Sequence, residues 1–156
     1  SSSDNVAMKI LEVNVHDERA TIKENFLITE PVGVTMIYQV FKSGQKIHTA
    51  FNFYDRSGIN IFDSHENNTE LYHQNKKKGI YETTVWIPGN LLSEGVILVG
   101  VALVTHDPFT VHFHEKDAVA FNIVDDLENS PTRGDYVGEL PGVIRPLLVW
   151  ESKLKK

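Results

Sequence analysis

Gly79-Ile80-Tyr81-Glu82-Thr83-Thr84-Val85-Trp86-Ile87-Pro88 is the stretch that decides the fold class. Tyr81, Thr83, Val85 and Ile87 recur at every second position, and Glu82 and Trp86 fall between them. That period, in β-branched and aromatic residues, predicts a strand with one buried face. Pro88 ends it, because proline has no N–H to donate to a ladder. The same grammar extends in both directions. Towards the N-terminus, Met8 to Val15 alternates, Asn25 to Thr29 is a short strand, and Gly33 to Lys42 is a long one with Val34, Met36, Tyr38 and Val40 on one face. After the turn Ser43-Gly44-Gln45, Ile47 to Tyr54 places Phe51 and Phe53 opposite His48, Asn52 and Tyr54. The two strands around this turn are expected to be neighbours. Asp55-Arg56-Ser57-Gly58 is a hairpin turn, since Gly58 supplies a positive φ, and Ile59 to Ser64 returns. Residues 63 to 79 are polar and form the longest loop, with a helical turn near Glu70-Leu71-Tyr72.

Towards the C-terminus, Val96 to Thr105 is nearly all apolar and reads as a buried central strand. Ala118 to Val124 follows with Val119, Phe121 and Ile123 inward. Asp125 to Gly142 is a connection rich in Pro, Gly and acid, and Val143 to Glu151 is a last strand carrying Trp150. No helix longer than about ten residues is predicted. Short strands separated by turns make an all-β antiparallel sandwich of about eight to nine strands.

Composition narrows the function. The 156 residues fit one domain, and 41% hydrophobic with 23% charged residues is ordinary for a folded soluble chain. With 15 basic against 21 acidic residues the net charge is −6, which argues against a nucleic-acid partner. The one basic cluster, Lys76-Lys77-Lys78, reads as a solvated loop. The absence of cysteine excludes disulfides and thiolate metal sites. No apolar run approaches the ~18 residues of a membrane span. Ser1 to Asn5 lacks a signal-peptide pattern and reads as a linker ahead of a domain spanning 6–151, with 152–156 as a tail.

Catalytic motifs are missing. Gly95 and Gly100 are followed by Val101 and Ala102 where a phosphate loop needs Lys and Ser/Thr, so no ATP site is encoded. No nucleophile elbow is present. His106, His112, His114, Glu115 and Asp117 are the sharpest metal candidates, but Ala118 or Val119 stands where a cupin-type site needs a carboxylate, and a polar loop or edge strand is the plainer reading. Asp55, Asp63, Asp107, Asp125 and Asp126 are read as turn residues rather than an acid/base pair. The outward aromatics are more informative. Trp86 and Tyr54 present flat apolar faces with a polar handle, which suit sugar rings. An open face bearing Gln39, His48, Asn52, Tyr54, Glu82 and Trp86 mixes such platforms with hydrogen-bonding side chains, and these six are the candidate carbohydrate-binding residues.

Several landmarks then fall into an order. Asp55-Arg56-Ser57-Gly58 leads to Ile61-Phe62, and Gly79-Ile80-Tyr81 to Ile87-Pro88. Leu92-Ser93-Glu94-Gly95, the Val99 to Val104 run and Ala120-Phe121-Asn122-Ile123 follow. Arg133-Gly134-Asp135-Tyr136-Val137-Gly138, Gly142-Val143-Ile144-Arg145-Pro146 and Trp150 close the series. From about residue 6 to 151 the chain resembles the Wzt C-terminal domain family, which follows the ATPase domain of exporters of O-antigen and similar polysaccharides. The resemblance implies an immunoglobulin-like, jelly-roll-like sandwich with Phe121 and Trp150 in its core. It implies a non-catalytic domain without cofactor that recognises a glycan for export. The expected partners are a second copy in a homodimer, an ATPase domain, a membrane permease and the polysaccharide, at the cytoplasmic side of the inner membrane. The long Asp125 to Gly142 connection would let the last strand pair with the partner chain. One departure is Ile47-His48-Thr49-Ala50, where the family often carries a proline, so sugar specificity does not carry over. The competing classes are a metal-dependent or hydrolytic sugar-modifying enzyme and a purely structural interaction domain.

Overall fold

The computed structural model describes residues 6–106 and 108–156; the expected linker Ser1 to Asn5 and the turn residue Asp107 lie outside the described residues. Two sheets pack face to face. The strands are β1 (Met8–His16), β2 (Asn25–Leu27), β3 (Val32–Val40), β4 (His48–Tyr54), β5 (Asn60–His65), β6 (Gly79–Ile87), β7 (Gly95–Thr105) and β8 (Thr110–Val124). One sheet has the order β1-β3-β6 and the other β2-β8-β7-β4-β5. The all-β sandwich expected from the alternation is therefore present.

The core sits where the inward positions of both sheets meet. Val34, Met36, Tyr38 and Val40 of β3 are all buried, as are Phe51 and Phe53 of β4, Val99, Val101 and Leu103 of β7, and Phe121 and Ile123 of β8. Tyr38 stacks on Tyr81 at 5.4 Å and Phe53 on Phe62 at 4.5 Å. Burial pushes the Tyr38 phenol well above its ordinary value. The β4–β5 hairpin turns as expected. Gly58 takes φ +83°, and Asp55 Oδ1 accepts the N–H groups of Ser57 and Ile59 at 2.9 and 3.0 Å.

Five expectations need correction. The sandwich is not wholly antiparallel, because β2 runs parallel to β8 and covers that strand's free edge. β3 and β4 are not neighbours. The chain crosses from one sheet to the other at residues 41–47, where Ile47 is buried, and β4 pairs instead with β7, the most apolar strand, and with β5. The loop after the hairpin starts at residue 66 rather than 63, so Asp63 is a strand residue, bonded by Asn60 at 2.8 Å. Lys76 is not solvated. It is 2% exposed, and its ammonium donates to the carbonyls of Ile47 and Leu71 at 2.8 and 3.0 Å, tying the 3-10 turn Leu71–His73 to the start of β4. Burial holds that amine below the usual lysine value.

The fifth correction is the C-terminus. Val143 to Glu151 makes no strand, only the isolated bridge Leu92–Ile144, and Trp150 is 88% exposed rather than in the core. Pro146 removes an N–H just where a ladder would have to continue. Charge holds the preceding segment instead. Arg145 donates to Asp125 at 3.1 Å and to Glu94 at 3.0 Å, and Arg133 Nε donates to Asp125 at 2.8 Å. The Arg133, Arg145 and Asp125 side chains are nearly inaccessible.

Candidate functional site

The six candidate residues do not share a surface. Gln39, Glu82 and Trp86 point outward from the three-stranded sheet, whereas His48, Asn52 and Tyr54 belong to the outer side of the five-stranded sheet. The division follows from the crossing after β3. His48 is also buried. Its ring lies 4.2 Å from that of His106 and 4.6 Å from that of Tyr72, and Nδ1 has no partner among the described residues. Burial, then His106 and Lys76, lowers its pKa. Tyr54 is half-covered by Lys116, whose ammonium sits 5.2 Å above the ring.

The outer face of the three-stranded sheet is the more organised one. Register places His16, Gly33 and Trp86 in one row across β1, β3 and β6, with Asn14, Thr35 and Thr84 in a row beside it. Trp86 is 47% exposed and meets His16 edge to face, with centroids 5.2 Å apart. Gly33 makes the approach possible. A Cβ there would collide with His16 and stand 2.9 Å from Trp86 Cη2. Sequence reading found Trp86 but not His16 or Gly33, because the row joins residues from three strands. The signal available was a glycine inside a strand, which marks close approach of another group.

Hydroxyl directions on this face can be assigned. His16 Nδ1 lies 3.0 Å from the Asp17 carbonyl, which can only accept, so Nδ1 donates. In the singly protonated ring Nε2 then accepts from Thr35 Oγ1 at 2.7 Å, and Thr84 donates to Thr35 at 2.7 Å. The Thr84 oxygen keeps its lone pairs for an incoming hydroxyl.

Next to Trp86 the two sheets part. Among the described residues neither β5 nor β6 has a strand on its outer edge, and a cleft of about 280 Å³ opens between them. Thr49, Ser64, Glu66, Asn67, Thr83 and Trp86 are among its lining residues. Glu66 is fixed by two hydroxyl donors, Thr49 at 2.8 Å and Thr69.

The residues weighed as a metal set, and read more plainly as a polar loop or edge strand, lie on and beside β8. His112 and His114 lie on β8, where His112 Nε2 meets Thr105 Oγ1 at 2.8 Å, while His106 stacks on His48. Among the described residues no three His, Cys, Asp or Glu converge on one point.

Comparison with known proteins bears on what these surfaces are for. No curated protein matches the sequence. A solved structure described as the C-terminal domain of wzt has the same fold, with a TM-score of 0.71 over 95% of this chain and 84% of that one, at 9% identity. The family model of the Wzt C-terminal domain matches residues 1–136. The chain belongs to the Wzt C-terminal domain family, the non-catalytic sugar-recognition domains of polysaccharide ABC-transporter subunits.

Proposed function

We propose that the exported glycan lies on the outer face of the three-stranded sheet, with Trp86 as its platform and Gln39, Glu82 and the Thr35–Thr84 pair as polar contacts. The observation that carries this is the half-exposed Trp86 ring, propped by His16 over the Gly33 floor beside outward hydroxyl lone pairs. A rigid aromatic face covers the C–H surface of a sugar at small entropic cost, and the threonines take its hydroxyls. Asn52 and Tyr54 then serve as the internal control. Isothermal titration with the native polysaccharide should show Trp86→Ala weakening binding at least about tenfold, or ~1.4 kcal/mol, with Tyr54→Ala close to wild type. The reverse ranking would move the site to the five-stranded sheet.

Three finer readings accompany this one. The topology is proposed to be immunoglobulin-like. A first strand in one sheet is followed by a short one parallel to the last strand of the other, and this arrangement supports that reading. Residues 6–151 are proposed as the functional domain. Within it Leu147, Leu148, Val149 and Trp150 are exposed, an apolar run that supports its seating on a second copy in a homodimer. The cytoplasmic, membrane-peripheral setting is proposed from the transporter context of the family.

A further inference from the structure

Building on the glycan reading above, we propose that the cleft between β5 and β6 is a separate specificity subsite that takes one neutral sugar ring and rejects rings bearing carboxylate or phosphate. Its volume of about 280 Å³ lies just below the range of about 300–1,000 Å³ usual for ligand pockets, which is room for one ring and not a run of them. It begins at Trp86, so a chain lying across the platform reaches it at the edge of the sheet.

The charge and hydrogen-bond polarity of the cleft set the ligand class. Among the described residues Glu66 is the one carboxylate in the lining, and His65 lines it but no Lys or Arg does. The Thr49 hydroxyl, itself 1% exposed, is committed to Glu66 Oε1, and the Thr69 hydroxyl to Oε2. Two of the available donors are thus spent on orienting the carboxylate, whose remaining lone pairs face the cleft. Thr84 also lines it, with its hydroxyl hydrogen directed to Thr35 and its lone pairs free. The subsite therefore combines fixed acceptors at Glu66 and Thr84 with the amides of Asn67 and Asn68 and the hydroxyls of Ser64 and Thr83, which donate as well as accept, as sugar hydroxyls require. An acid group on the ring would meet Glu66 with no Lys or Arg in the lining to pair with it. The Lys76 ammonium that Glu66 feels is spent on the carbonyls of Ile47 and Leu71, and His65 is the one basic side chain in the lining. The like charges should therefore cost on the order of a tenfold loss in affinity. The inward Phe51 and Val85 side chains give the ring an apolar wall.

The test uses an array of neutral oligosaccharides and their uronate- and phosphate-bearing counterparts, with the whole chain as probe and amide shift mapping of the best binder. Wild type should bind neutral members only, and the shifts should include Ser64, Glu66 and Thr83. Glu66→Gln keeps the shape and one acceptor oxygen while removing the charge and turning the other oxygen into a donor, so the acidic counterparts should gain about tenfold. Asn68→Lys, at an exposed position on the rim, should admit them as well without touching the Thr49–Glu66–Thr69 bonds, should the glutamine variant fold poorly. Acidic members binding wild type as well as neutral ones, an unchanged ratio in a folded variant, or shifts confined to the platform would each overturn the subsite and leave the glycan reading standing. Failure of every array member to bind at millimolar concentration would remove the glycan reading and the subsite with it.

Discussion

Residues 6–124 and residues 125–146 are held to the same body by different forces. The first region is a sandwich whose inward positions are apolar at every second residue, with Phe53, Val34, Met36, Val99 and Val101 fully buried. The second makes no strand, and its order rests on two arginines converging on Asp125, with Arg145 reaching on to Glu94. Burial raises the Asp125 carboxyl, but its bonds from Arg133 and the Leu127 N–H outweigh that and leave it below the usual carboxylate range. Apolar packing is spread over many residues and fails globally. A buried ion cluster is concentrated in a few residues, and removing one of them uncovers a charge locally.

The largest effect is expected inside the sandwich. Phe53 is fully buried and stacks between Phe51 and Phe62, with centroids 6.5 and 4.5 Å away. Phe53→Ala should cost about 3–5 kcal/mol, read as a lower midpoint in urea. Both regions should unfold in that one transition. A surviving separate transition for residues 125–146 would mean the clamp folds independently, and the contrast would have to be redrawn.

Arg145→Ala should act more locally. It leaves Asp125 facing Arg133 alone and strips Glu94 of the guanidinium that lowers its pKa. The expected cost is about 3 kcal/mol, at the low end for a broken buried pair because one partner remains. Hydrogen exchange should show residues 133–145 losing protection while β4 and β7 keep theirs. Equal loss in both places would show that the clamp supports the sandwich core as well as its own segment.

The same contrast explains what could be read from the sequence. Period-two patterning in β1, β3, β4 and β6, and the continuous apolar run of β7, encode burial directly, so these strands were legible. Strand adjacency was not, because Ser43-Gly44-Gln45 looks the same whether the chain reverses within a sheet or crosses between sheets. The fate of Val143 to Trp150 was also hidden. Its residue types suit a strand, yet its pairing with residues 90–93 stops at the single bridge Leu92–Ile144 beside Pro146, and residues 147–150 are left exposed. Buried charge was the least visible feature. Lys76 and Lys77 are equivalent in sequence, and only the carbonyls of Ile47 and Leu71 distinguish them. At the candidate site Trp86 stood out as an aromatic on an outward position. Its supports, His16 and Gly33, come from other strands and needed the register to be seen.

The smallest expected effect separates the regions by pH. His48 sits in the first region, with burial, His106 and Lys76 all lowering its pKa, and its Nδ1 has no partner among the described residues. As pH falls through the ordinary histidine value of about 6.5, the unfolded chain takes up this proton before the folded one does. Stability therefore declines from there down to the depressed folded value and is level below it. Asp125 and Glu94 behave differently, because their folded pKa values lie below those of the unfolded chain. Their contribution is complete above about pH 4 and is lost only as pH falls through the lower folded values. Protection factors measured at pH 7, 5 and 3 should accordingly fall first at the start of β4 and around Leu71–His73, where the His48 ring stacks on Tyr72. Residues 133–145 should hold until the last step. His48→Leu should flatten the decline between pH 7 and 5 and leave the acid limb in place. A decline that persists in that variant would assign the titration to another histidine, and a clamp that loosens before pH 5 would break the contrast between the two regions.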